Sequence, residues 1–282
     1  MQDKHTQLDK TNIYHYHKTH KHQTVSGETF IYEILIFCFG TWLTGVSKAG
    51  FGGGIGMIVV PLFAQFRPVR NQVLPLMVLL LISTDVISLG YYWKQWHRQS
   101  IWRLIPGAII GIVLASFILN DISEIHLKKT IGGIACLFSV LEFLRPRIIR
   151  RLNPDIAEEV PALQFKAWHG VLLGILGGIF STLAHMAGPV IVMYLLPQRL
   201  GNRKFVATTT LLYFCINLTK IPAYYQLGLF SYEILIESLA LLPFVGLGVQ
   251  AGVYLNNRFS ERNFSRIVLI VLFATGIHLL IS

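Results

Sequence analysis

The sequence predicts an all-α polytopic membrane protein, built as two inverted repeats that each join a re-entrant, broken-helix hairpin to three transmembrane helices. Of the 282 residues, 53% are hydrophobic and only 13% are charged, and the mean hydropathy is +0.56. Soluble domains carry about 25% charged residues. Apolar runs recur from about Phe30 onward, and several approach the roughly 20 residues that a helix needs to cross a bilayer. The alternating segments that predict a membrane β-barrel are not seen in the sequence.

The chain begins with a polar tail, which we assign to residues 1–29. The tail has no apolar core of a signal peptide, but it contains His15, His17, His20 and His22. A solvated, disordered tail is favoured over a metal-binding one, because no further ligand set accompanies these histidines.

The first membrane repeat covers residues 30–144. An apolar segment over 30–47 leads into a glycine-rich break at 48–54. The predicted elements that follow are a short segment at 55–66 and helices over 72–92, 101–119 and 127–144.

The second membrane repeat, 166–282, follows a basic linker that we place at 145–165. Its predicted elements are a segment at 167–183, a break at 184–189, a short segment at 190–197, and helices over 204–226, 232–254 and 263–281. Aligning the halves places Ser47 over Ser181, Gly54 over Gly188, Asp85 over Asn217 and Tyr92 over Tyr224. The common order of these weak matches predicts an internal duplication.

The loop charges decide between a parallel and an inverted repeat. If each broken segment crosses the membrane once, the Lys and Arg residues outside the membrane divide ten against twelve between the two sides. If each break is the tip of a hairpin, they divide fourteen against eight. Because positive residues favour the cytoplasmic side, we expect two hairpins, a cytoplasmic linker and both termini outside the cytoplasm. Broken helices in inverted repeats are typical of secondary transporters, and the break points to the binding site.

Two lysines in apolar surroundings are the first candidates for function. An intramembrane lysine costs several kcal/mol unless it is paired or faces water. Lys48 lies beside the first break, where the open alternative is that it reaches outward to water. Lys220 lies deep in the run "TTTLLYFCINLTKIPAYY", on one helical face with Thr209, Tyr213, Asn217 and Tyr224.

Asp85 is the acidic residue that faces these lysines in the alignment. A structural Lys220–Asp85 pair is the alternative to a binding role. Two buried lysines against one buried aspartate leave a formal excess of about +1, which favours an anion as the ligand.

The two breaks add backbone and side-chain groups to this site. Gly52, Gly53 and Gly54 can expose backbone N–H groups before a helix that starts at Ile55, and Gly188 precedes Pro189 in the second break. Close helix packing through small residues is the alternative. We include Ser47 and Ser181 in the predicted binding set. His185 is a candidate for anion binding or proton coupling, and Asp85 for proton coupling.

Other classes of function are not supported. The sequence contains no GxSxG, HExxH or Walker motif, so we predict neither an enzyme nor a cofactor or metal site. The net charge of +10 comes from short loops, which is typical of membrane orientation and not of nucleic-acid binding. Cys38, Cys136 and Cys215 lie in apolar segments without a disulfide or zinc spacing.

The chain resembles the sulfite exporter TauE/SafE family (TSUP permeases). The resemblance rests on "GFGGGIGMIVVPLF", its second copy "HMAGPVIVMYLL", and "NLTKIPAYYQLG". It implies a bacterial inner-membrane protein that moves sulfite, sulfoacetate or other organosulfonates, with Gly52, Gly53, Gly54 and Lys220 at family motif positions. His185 and Met186 depart from the glycine run that the family has in the second hairpin, and Lys48 is not a family feature.

We therefore expect a secondary transporter of small sulfur-containing anions, with the anion between the two hairpin tips and Lys220 as its main counter-charge. An anion channel of the same fold and a non-transporting membrane scaffold are the alternatives. The expected partners are the lipid bilayer, a small anionic substrate and a proton or other coupling ion, with a homodimer left open.

Overall fold

A computed structural model describes residues 27–53, 55–152, 166–256 and 261–281. The histidine-rich tail up to residue 26, Gly54 and residues 153–165 of the predicted linker lie outside the described residues. The chain divides into two compact units, Met1–Ile36 and Phe37–Ser282. Of the first unit, the start of the first helix is described; everything below concerns the second unit.

The described residues form ten α-helices and no strand, as the apolar runs predict. The helices are α1 Gly27–Phe51, α2 Val59–Phe63, α3 Leu74–Tyr91, α4 Arg98–Asp121, α5 Glu124–Leu152, α6 Ala167–Ala184, α7 Gly188–Leu195, α8 Asn202–Gln226, α9 Tyr232–Asn256 and α10 Glu261–Ile281. A 3-10 turn, Ile55–Ile58, precedes α2, and a π-helical turn, Val69–Val73, leads into α3. Helix α5 continues to Leu152, so its last turns occupy the first part of the segment predicted as linker.

Five helices are long and apolar enough to cross a membrane. They are Ile31–Phe51, Val69–Tyr91, Arg98–Asp121, Ala167–Ala184 and Tyr232–Asn256. Helix α8 has the length of a span, but it carries Asn217 and Lys220 within its apolar sequence. The protein is therefore an all-helical, multi-pass membrane protein.

The first hairpin forms because two glycines end α1 and turn the chain back. Gly52 and Gly53 have φ angles of +68° and +90°, which other residues adopt only with strain. After the turn, the N–H of Gly56 donates to Ser47 Oγ at 2.6 Å. Further along, the ring of Phe63 stacks on that of Phe37 with centroids 3.9 Å apart. The short helix α2 thus returns along α1.

The second hairpin turns at a histidine. His185, directly after α6, has a left-handed φ of +52°. Its N–H donates to the Ser181 carbonyl at 3.0 Å, and the N–H of Met186 donates to that of Phe180 at 3.1 Å. Helix α7 begins two residues later and packs against α6. A non-glycine residue in this conformation is uncommon, and such positions cluster at functional sites.

The hairpins exchange contacts between the two halves of the chain. Helix α1 packs closely on α9, where an ideal Cβ on Gly45 would lie 2.8 Å from the backbone nitrogen of Val249. Helix α6 packs closely on α4, where a Cβ on Gly174 would lie 3.0 Å from the nitrogen of Ala108. In both pairs the residue numbers of the contacts rise together, so the paired helices run parallel. Each hairpin helix therefore packs against a long helix of the other half.

Two tyrosines tie the long helices to the ends of the hairpin helices. Tyr92 donates its hydroxyl proton to the Ala49 carbonyl, and Tyr224 donates to the Thr182 carbonyl, both at 2.7 Å. The last carbonyls of a helix have no partner within the helix, so these hydroxyls satisfy them. The two tyrosines are the pair that the sequence alignment matches.

Candidate functional site

Lys48 and Asp85 form a buried ion pair beside the first break. The Lys48 ammonium lies 2.5 Å from Asp85 Oδ1, and their side chains are 6% and 0% exposed. Asn217 on α8 donates from Nδ2 to the other carboxylate oxygen of Asp85 at 2.9 Å. Lys48 is thus turned inward toward a partner and does not reach out to water. The carboxylate of α3 is also shared with Lys48 of α1, instead of forming the pair with Lys220 that the sequence left open.

Lys220 lies beside the second break and is fully buried. Its ammonium donates to the Ser181 carbonyl at 3.2 Å and to Ser181 Oγ at 3.1 Å, and it lies 2.8 Å from His185 Nδ1. Nε2 of His185 lies 3.0 Å from the Leu74 carbonyl. Since a carbonyl only accepts, Nε2 carries the ring proton, and Nδ1 accepts from Lys220. The histidine is neutral in this arrangement.

A small cavity of about 30 Å³ lies between the two breaks. Both hairpins and the helices α3 and α8 contribute to its wall. The residues that line it are Thr44, Lys48, Gly53, Gly56, Val60, Met77, Leu81, Ser181, His185, Ala187, Gly188, Tyr213 and Asn217. On this measure one water needs about 10–15 Å³, so the cavity has room for roughly two.

The cavity separates the predicted site residues into two layers. Lys48, Gly53, Ser181, His185, Gly188 and Asn217 line it. Lys220 lies behind Ser181 and His185, and Asp85 lies behind Lys48 and Asn217. Gly54 lies outside the described residues. The predicted role of Lys220 as the main counter-charge is therefore exerted through the side chains in front of it in this conformation.

The hairpin glycines serve a turn as well as a cavity. The N–H of Gly53 donates to the Ser47 carbonyl at 3.0 Å, and Ser47 Oγ accepts from Gly56. These two N–H groups stabilise the hairpin in this conformation, and Ser47 acts as its internal cap. Glycine is also needed for space, because a Cβ on Gly53 would lie 2.8 Å from the ring of Tyr213. The prediction that Gly52 to Gly54 cradle an anion stays a prediction.

Sequence reasoning placed Tyr213 on the polar face of α8 but did not assign it to the site. Its hydroxyl donates to the Gly52 carbonyl at 3.2 Å, and its ring centroid lies 5.1 Å from the Lys48 ammonium. Thr44, Met77 and Leu81 were also missed. The helical spacing of four residues between Tyr213 and Asn217 was the signal for Tyr213; the apolar lining gave none.

Two polar connections hold the hairpins to long helices away from the cavity. After the first hairpin, Arg67 binds both carboxylate oxygens of Glu237 on α9, at 2.6 and 2.7 Å. After the second, Gln198 accepts from the hydroxyl of Ser100 on α4 at 2.8 Å. The first connection is charged and the second is neutral. Partial burial, with Lys204 and Arg103 nearby, lowers the pKa of His97, whose Nδ1 contacts the same Ser100 hydroxyl.

Broken helices that meet at a buried, charged cavity are typical of membrane transport proteins. The family model for the sulfite exporter TauE/SafE matches residues 37–279. The chain therefore belongs to this family, which confirms the resemblance seen in the sequence and identifies a multi-pass membrane protein of a transporter family, not a family of enzymes. Neither the curated proteins nor the solved structures give a match to the chain.

Proposed function

We propose that the protein is a secondary transporter of small sulfur-containing anions, such as sulfite, sulfoacetate or another organosulfonate, in the bacterial inner membrane. The observation that carries the proposal is the charge of the buried site. Lys48 and Lys220 face the single carboxylate of Asp85, and His185 is neutral. The excess positive charge lies around a cavity between two broken helices, in a member of a sulfite exporter family.

The proposed binding site uses the residues at the cavity wall. Lys48 supplies the charge, and Asn217 has an amide at the same wall. The hydroxyl oxygen of Ser181 accepts from Lys220, so its own proton is directed away from that lysine and is available to an anion oxygen. Lys220 stabilises the bound anion through Ser181 and His185.

Asp85 and His185 are the proposed proton-coupling groups. An anion in the cavity competes with Asp85 for Lys48, because the carboxylate and the anion are both negative. A proton on Asp85 removes this competition, so proton and anion binding favour each other. A proton on His185 Nδ1 would displace the ammonium of Lys220 in the same way.

The helix directions support the inverted repeat, which we include in the proposal. Tyr92, at the end of α3, contacts Ala49 near the end of α1, while Arg67, just before α3, lies over the ring of Phe37. Helix α3 thus runs parallel to α1, and α4 returns the other way through a short connection. Since α6 runs parallel to α4, the two hairpin helices point in opposite directions. Rocking of the halves around the cavity then gives alternating access.

The test of the substrate class is a thermal-shift screen of the detergent-purified protein. Sulfite, sulfoacetate, small carboxylates and phosphate are compared as ligands. We expect the sulfur anions to raise the unfolding temperature in a saturable way, and Lys220→Ala to lose this shift. A scaffold protein predicts no shift with any anion. An equal shift in Lys220→Ala would remove that lysine from the proposed site.

A further inference from the structure

Three tyrosines donate to carbonyls at the ends of hairpin helices, and one of them is not required for that task. Tyr92 and Tyr224 lie 132 residues apart and make the same contact, one in each half. Tyr213 makes a third such contact, with Gly52. The residue 132 positions before Tyr213 is Leu81, which has no hydroxyl. The repeat therefore holds its hairpin end without a tyrosine at this position.

Tyr213 differs from the other two in lining the cavity. A Cβ on Gly53 would lie 2.8 Å from its ring, and a Cβ on Gly188 would lie 3.6 Å from its hydroxyl oxygen. The ring thus fills the space between the two hairpin breaks. Lys48, the cation at the cavity wall, lies 5.1 Å from the ring centroid, within the range of a cation–π contact.

The size of the cavity gives this ring a consequence. Room for roughly two water molecules suits an anion of one sulfur and three oxygens better than one that also carries a carbon chain. The glycine backbones of Gly53 and Gly188 have no side chain that a larger ligand can displace. The ring of Tyr213 is the bulky wall that faces both of them.

We propose that Tyr213 is a specificity-determining residue whose ring limits the size of the anion. The ring admits an oxyanion of the size of sulfite and excludes organosulfonates such as sulfoacetate. The inference rests on the proposed function and narrows its substrate class. The hydroxyl of Tyr213 holds the ring in place but does not set the limit.

The test compares sulfite with methanesulfonate and sulfoacetate, both as competitors of labelled sulfite flux in proteoliposomes and as ligands in the thermal-shift assay. The variants are Tyr213→Ala, Tyr213→Leu, which copies the residue at the aligned position, and Tyr213→Phe. Tyr92→Phe is the matched control, because it removes the same kind of hydrogen bond outside the cavity. We expect the wild type to prefer sulfite, and Tyr213→Ala and Tyr213→Leu to reduce that preference by at least about tenfold. Tyr213→Phe and Tyr92→Phe should keep the wild-type preference.

The outcomes separate this inference from the proposed function. An unchanged preference in Tyr213→Ala and Tyr213→Leu, with sulfite still bound, overturns the role of Tyr213 and leaves the transporter proposal intact. If no anion crosses the membrane but binding shows the Tyr213-dependent size preference, the transporter proposal fails and the size limit stands. Absence of both flux and binding in the wild type overturns both.

Discussion

At the scale of single residues, the site is a set of buried polar groups that depend on one another. Asp85 is shared by Lys48 and Asn217, and Lys220 by Ser181 and His185. Removing one member of a buried ion pair leaves the other charge uncompensated, whereas replacing both with apolar groups is often tolerated. Stability and function should therefore respond differently to single and double substitutions.

Asp85→Asn should lower the free energy of unfolding by about 3–5 kcal/mol, because Lys48 would remain buried without its counter-charge. The double variant Lys48→Met with Asp85→Leu should recover most of that loss and still fail to bind sulfite. Reversible denaturation in detergent measures the stability, and the thermal-shift titration measures the binding.

Glu237→Gln is the matched control for this prediction. It breaks the Arg67–Glu237 pair, whose side chains are 26% and 28% exposed. Half-solvated pairs contribute up to about 1 kcal/mol, so the control should cost much less than Asp85→Asn. Equal losses in the two variants, or a double variant as unstable as Asp85→Asn alone, would contradict the account.

The sequence predicted the polar residues of the site but not all of their partners. Helical spacing placed Tyr213, Asn217 and Lys220 on one face of α8, and the structure brings them to the same region. It did not predict that Asp85 binds Lys48, because that contact depends on how closely α1 approaches α3. Pairing across helices is a property of packing, which the spacing within one helix does not encode.

At the scale of helices, glycine sets how closely the two halves pack. Helices α1 and α9 meet at Gly248, where a Cβ would clash with the backbone of Trp42. On the same helix α9, Gly246 has no atom within 4 Å of the equivalent position. The two glycines therefore share a helix and differ in their surroundings.

Gly248→Ala should destabilise the protein by about 1–3 kcal/mol, since the added methyl group forces the backbones of α1 and α9 apart. Gly246→Ala should be neutral or stabilising by up to about 1 kcal/mol, because alanine favours helix. Denaturation in detergent compares the two. A Gly248→Ala variant as stable as Gly246→Ala would show that the close contact does not limit packing.

The apolar runs and the glycine-rich breaks predicted the helices well, while their ends were harder to predict. Helix α5 reaches Leu152, although the sequence from Arg145 onward is basic and suggests a loop. Charged residues such as arginine are good helix formers, so polarity alone does not end a helix. The left-handed turn at His185 was not predicted, because non-glycine residues seldom adopt it.

At the scale of the whole molecule, the arrangement of the halves determines which loops share a side of the membrane. In the inverted repeat, the connections near Asn120 and Ser231 lie outside the cytoplasm and that near Asn202 lies inside. If each broken segment crossed the membrane once, Asn120 and Asn202 would lie on the same side. Loop charges predicted the inverted arrangement, and the direction of α3 along α1 supports it.

Single cysteines at Asn120, Asn202 and Ser231 test this arrangement in a protein whose Cys38, Cys136 and Cys215 have been replaced by alanine. A membrane-impermeant maleimide applied to sealed spheroplasts should label Asn120→Cys and Ser231→Cys and leave Asn202→Cys unlabelled until the membrane is opened. Labelling of Asn120→Cys and Asn202→Cys from the same side would contradict the inverted repeat.

The central claim is that buried cations between two hairpins carry a small anion across the membrane, and sulfite flux tests it most directly. Labelled sulfite uptake is measured in proteoliposomes with and without unlabelled sulfite inside, for the wild type, Lys220→Met and the surface control Lys129→Met. We predict saturable flux that internal sulfite accelerates, at least about tenfold lower in Lys220→Met, as expected for loss of 1.4 kcal/mol or more of anion stabilisation, and unchanged in Lys129→Met. Wild-type flux no greater than in protein-free vesicles, or equal flux in Lys220→Met, would contradict the claim, and flux without acceleration would indicate a channel.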